Sequence, residues 1–79
     1  MKTVEELTKM HNIVREFMED KNFDLLKEYM TSLYENSNDT GELRTILVIT
    51  KGMKNNESIK DIRVSILNKL ETILGHKIN

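Results

Sequence analysis

Two histidines, His11 and His76, are the first places to look for catalysis or metal binding. A metal site on a helix needs a second ligand three or four residues away on the same face. Around His11 those places hold Leu7, Thr8, Val14 and Arg15. His11 therefore reads as a partly buried, hydrogen-bonded residue of a core or interface. His76 follows Gly75, where a solvated partner of a helix C-terminal dipole belongs. Ser32, Ser37, Ser58 and Ser65 stand in no nucleophile elbow or triad setting, and Gly41, Gly52 and Gly75 lie too far apart for a phosphate loop. The paired carboxylates Glu5-Glu6 and Glu19-Asp20 read as solvated helix ends, not as an acid and a base held apart in a cleft. Without cysteine, disulfide scaffolds, thiolate zinc sites and cysteine nucleophiles are excluded. The expectation is a protein that is not an enzyme and takes no metal or cofactor.

Charge and apolar surplus say more. Residues 1–39 carry five basic and nine acidic side chains, net −4, whereas residues 40–79 carry seven basic and four acidic ones, net +3. Arg44, Lys51, Lys54, Lys60, Arg63 and Lys69 make a candidate basic face for phosphate contacts. Phe17, Phe23, Tyr29 and Tyr34 all lie in the acidic half, so that face lacks the stacking platform of single-strand binders. A helix-turn-helix does not fit either. The turn near Asn55-Asn56 has no glycine, and Glu57 and Asp61 would open the helix that faces DNA. On a helix, Ile46, Leu47, Val48 and Ile49 point in directions about 100° apart and leave no wholly polar side. Val64 adds an apolar residue off the main stripe of the last helix, as Ile13 and Leu25 do on the first two. Val48, Ile49 and Val64 are the candidate interface, either with a second copy or with another protein.

The elements that must position these residues can be read from spacing. Val4, Leu7, His11, Val14 and Met18 recur at helical steps, with Thr3 and Glu6 as a capping box, which predicts a helix over 4–20. Phe23, Leu26, Tyr29, Met30 and Leu33 predict a second helix capped by Asn22, joined by a short link that favours an antiparallel hairpin. Residues 36–41 read as a loop, with Asp39 and Glu42 capping the third helical segment. The segment 45–50 is ambiguous. Its β-branched residues suit a strand, but Leu43, Ile46, Leu47, Thr50 and Met53 make one helical face, and a lone strand would have no partner. Helix is the expectation, ending near Gly52. Ile59, Ile62, Ile66, Leu67, Leu70, Ile73 and Leu74 predict the last helix, closed by a left-handed cap at Gly75.

At 79 residues the chain makes one domain, an all-α four-helix bundle over 1–79, near the size where a single core barely suffices. Glu5 and Glu6 interrupt any signal peptide, and the apolar run 46–49 is too short to cross a bilayer, so a cytoplasmic protein with no membrane partner is expected. The absence of alanine beside abundant Lys, Asn and Ile points to an AT-rich genome, such as a low-GC bacterium or its phage. The stretch from Leu43 to Leu70, with Asn56-Glu57 between two apolar helices, resembles the end of the helical N-terminal domain of transcription elongation factor S-II. That resemblance implies a docking module for disordered partners. The family's glycine after the position of Leu43 and its tryptophan near Leu70 are missing, so no site residue is carried over. The function expected from the residues is a non-catalytic protein-protein interaction module, a homodimer that binds or occludes a partner. The alternative is a nucleic-acid-associated regulator working through its basic half.

Overall fold

A computed structural model describes residues 2–77, which form four α-helices: α1 (Val4–Glu19), α2 (Phe23–Asn36), α3 (Thr40–Ile49) and α4 (Lys60–Leu74). A 3-10 turn, Lys51–Met53, comes after α3. Helix α3 packs against α1 on one side and α4 on the other, while α2 bridges α1 and α4. The expected four-helix bundle is the observed fold.

Side-chain caps set most of the helix starts. Thr3 Oγ1 accepts the Glu6 N–H at 3.1 Å while the Glu6 carboxylate accepts the Thr3 N–H at 3.2 Å, the reciprocal capping box of α1. Asn22 caps α2 through Oδ1, and Asp39 Oδ1 accepts the Glu42 N–H at 2.8 Å at the start of α3. Asp39 also accepts the Lys2 backbone N–H at 2.9 Å, which ties the approach to α1 to the start of α3. At the other end of the chain Gly75 adopts φ 79°, the left-handed conformation that closes α4.

The segment is helical over 45–49 with Thr50 as its C-cap, so α3 stops at Ile49, short of the expected end near Gly52. Its hydroxyls are absorbed without a sheet: Thr45 Oγ1 donates to the Gly41 carbonyl at 2.7 Å and Thr50 Oγ1 to that of Ile46 at 2.6 Å. Burial of Leu43 and Ile46 then outweighs the small helix penalty of the branched residues. The loop before α3 is shorter than 36–41, because Asn36 still belongs to α2 and the Asp39 cap draws Thr40 and Gly41 into the first turn of α3. Helix α1 ends at Glu19, one residue early, with Asp20 as its cap. The link to α2 turns on Lys21, which takes φ 54° while the Asn22 N–H reaches back to the Phe17 carbonyl.

Met10, Val14, Leu26, Met30, Leu43, Ile46, Ile59, Ile62, Ile66 and Leu70 form the core. Some residues of the predicted stripes fall outside it. At about 100° per residue the buried face of α1 centres between Met10 and Val14, which puts Val4 and His11 at its edge, both exposed. Ile73 is likewise 41% exposed and lines a shallow groove with Tyr34.

Candidate docking groove

The packing of α3 on α4 leaves a groove of about 710 Å³ on the outer face of the bundle. Its floor is apolar, made by Leu47 and Val48 from α3 and by Val64, Leu67 and the edge of Leu70 from α4. Val48 lies about half a helical turn from the buried Leu43, Ile46 and Thr50, and so projects outward with 67% of its surface exposed. Val64 is 56% exposed for the same reason on α4.

Around this floor stand Arg44, Lys51, Lys54, Lys60 and Arg63, and among the described residues no acidic side chain lines the groove. Two separate sets of candidates in the sequence, apolar interface residues and phosphate contacts, thus share one site. The five cations are not equivalent. Arg63 reaches from α4 across to the end of α3, where Nη2 donates to the Leu47 carbonyl at 2.8 Å and Nε to Thr50 Oγ1 at 3.0 Å. Partial burial lowers its pKa from the ordinary arginine value. It closes two open acceptors at a helix C-terminus and braces the groove from below. Lys60 pairs with the exposed Glu57 at 3.2 Å. The side chains of Arg44, Lys51 and Lys54 have no ion pair or hydrogen bond with any described residue.

Two candidates lie elsewhere. Lys69 does not join the basic face: its ammonium donates to the Tyr34 carbonyl and sits 5.5 Å from the centre of the Tyr34 ring, on the α2 side of α4. Ile49 is half-buried against the core and faces a second groove between α1 and α3, lined also by Val4, Leu7 and the exposed His11. His11, expected as a partly buried, hydrogen-bonded residue of a core or interface, is instead exposed, on the rim of that groove. Val48 forms the ridge between the two grooves and lines both. Leu47, Leu67 and Leu70 are not legible as site residues in the sequence, because helical spacing assigns all three to the core stripe; Leu47 and Leu67 are half-buried and Leu70 is almost wholly covered.

Among the described residues no three His, Asp or Glu side chains come close enough to hold a metal ion, and no helix is long and apolar enough to cross a membrane. No buried side-chain polar atom among them lacks a hydrogen-bond partner. No protein-family model matches the chain, and no curated protein or solved structure matches it either.

Proposed function

We propose that the chain is a non-catalytic protein-protein interaction module that acts in the cytoplasm by docking, and so occluding or recruiting, a partner protein in the α3–α4 groove. The observation that carries this reading is an exposed apolar floor enclosed by cations with no carboxylate among its lining residues. A solvated surface helix has little reason to hold Val48 and Val64 outward in a chain whose core is already short of apolar residues. Between a second copy and a different protein, the rim favours the different protein. A two-fold contact of groove on groove would bring the cations of both rims together, and like charges facing one another oppose association.

The nucleic-acid reading draws on the same five cations. Against it, the floor between them is aliphatic, with no aromatic ring to stack a base and no free donor to meet a phosphate at its centre.

The reading is tested with tagged full-length chain in extract of its native cell, comparing the unaltered protein with Val48→Asp, Val64→Asp and, as a control on another face, Val4→Asp. All three positions are exposed, so each variant is expected to keep its stability within about 0.5 kcal/mol. A partner protein retained by the unaltered chain and by Val4→Asp, and lost by the other two, is the expected result. Identical retention by all four proteins sinks the groove as a docking site.

A further inference from the structure

We infer that the occupant of the α3–α4 groove is an acidic amphipathic α-helix of a different protein; this rests on the docking function proposed above and names its partner. Charge complementarity gives the first part. Five cations and no carboxylate line the groove, and three of them, Arg44, Lys51 and Lys54, are unpaired. A partner carrying Asp or Glu on the flanks of its apolar face would pair with these groups. A basic partner would be repelled along the whole rim.

The shape of the site gives the second part, because the known modes of peptide recognition need different furniture. Strand addition needs an open sheet edge, and no strand exists among the described residues. Polyproline segments dock between aromatic rings, and none of the ten lining residues is aromatic. What the groove offers is two helices side by side, with Arg44, Leu47 and Val48 at helical spacing on one and Lys60, Val64 and Leu67 on the other. That surface accepts the i, i+3, i+4, i+7 face of a third helix. The groove runs along α4 from Lys60 to Leu70, about 15 Å, so a partner helix of about 10 residues would cover the floor.

The test uses isotope-labelled full-length protein and four probes. Three are synthetic peptides of about 15 residues: one with Leu at helical spacing flanked by Glu, one with Lys in place of every Glu, and one with the Glu peptide's composition shuffled to remove the spacing. The fourth is a short DNA duplex. Saturable binding of the Glu peptide alone is expected, with amide shifts at Leu47, Val48, Val64 and Leu67 and a gain of peptide helicity. The double variant Arg44→Gln, Lys51→Gln should bind that peptide about tenfold more weakly. Lys9→Gln, on α1, should bind it unchanged. Equal binding of the shuffled or Lys peptide, preferential binding of the duplex, failure of the Glu peptide, or concentration-dependent dimers that protect the groove would each overturn the inference. The two levels separate cleanly. If the Glu peptide fails while partner retention still depends on Val48 and Val64, the acidic helix is wrong and the docking groove stands. If that dependence is also lost, both fall.

Discussion

Arg63 stands on the groove but belongs to the fold, since its guanidinium already bonds the Leu47 carbonyl and the Thr50 hydroxyl. Arg63→Met should therefore destabilise the protein by about 1.5–3 kcal/mol, the range for losing a hydrogen bond to a charged group, as read by urea unfolding. Arg44→Met, which breaks no bond, should leave the same midpoint unmoved. A stable Arg63→Met protein would return that residue to the set of solvated cations. Asp39 carries a second residue-scale expectation. The Glu42 N–H above all holds its carboxyl below the usual carboxylate range, with the Lys2 N–H contributing in the same direction, and the Thr3 N–H and then the Thr3 hydroxyl do the same for Glu6. A lowered folded-state pKa means that the unfolded chain binds protons first as pH falls. The stabilisation is complete above about pH 5 and is lost as pH falls through the ordinary carboxylate range into the lowered range of the folded groups. Unfolding midpoints measured across that window should fall on the acid side, and Asp39→Asn should flatten the fall. An unchanged slope in the variant would remove Asp39 from the acid response.

At the level of elements, the turn between α1 and α2 is a place where the chain works against its own local preference. Lys21 is the sole non-glycine described at positive φ, a conformation that costs an L-residue about 1 kcal/mol, at the position where helices usually place glycine. Lys21→Gly should raise the stability by up to about 1 kcal/mol, seen as a higher urea midpoint with no change in slope. No gain would mean that the lysine side chain repays the strain. This turn also marks where reading the sequence fails. All four helices, the caps at Thr3, Asn22, Asp39 and Gly75, and the helical state of 45–49 stem from spacing and capping chemistry that is local to each segment. The stop at Asp20 has no glycine or proline to announce it, and the bounds of the 36–41 loop depend on a cap reaching one turn forward. Which edge of a stripe is covered is not local at all. Val4, His11 and Ile73 sit on predicted apolar faces yet are exposed, because coverage depends on where neighbouring helices cross. The site is legible in the same uneven way: Val48, Val64 and the rim cations can be named separately, but their union in one groove is a product of how α3 lies on α4. Lys69 and Ile49 turn to other faces by helical phase alone, about 140° from Val64 and about 100° from Val48 on their own helices, whereas the clasp of Arg63 is hidden because its acceptors lie 13 and 16 residues away in the chain.

Taken whole, the molecule is as compact as its length allows, with a radius of gyration of 11.8 Å against about 11–12 Å for a folded chain of this size. Its uncovered valines are thus a feature of a finished fold and not of a loose one. The near-zero net charge hides a division of sign, with the acidic excess in the half that holds α1 and α2 and the basic excess in the half that lines the groove. Self-association and partner binding through the groove then respond to salt in opposite senses. Two copies meeting groove to groove are held apart by like charges, so raising the salt from about 0.05 M to about 1 M, which shortens the screening length from over 10 Å to about 3 Å, should strengthen any dimer seen by sedimentation. An acidic partner is drawn in by the same cations, so its affinity should fall over that range. Contact between the acidic half of one copy and the groove of another would also weaken with salt, closing as a dimer when it is reciprocated about a two-fold axis and giving larger species when it runs head to tail. A protein that sediments as a monomer at low salt, and whose partner is released as salt rises, is what the rim requires. A tight dimer at low salt that dissociates on adding salt would show that opposite charges join the copies, and the groove would then have to be sought inside that interface.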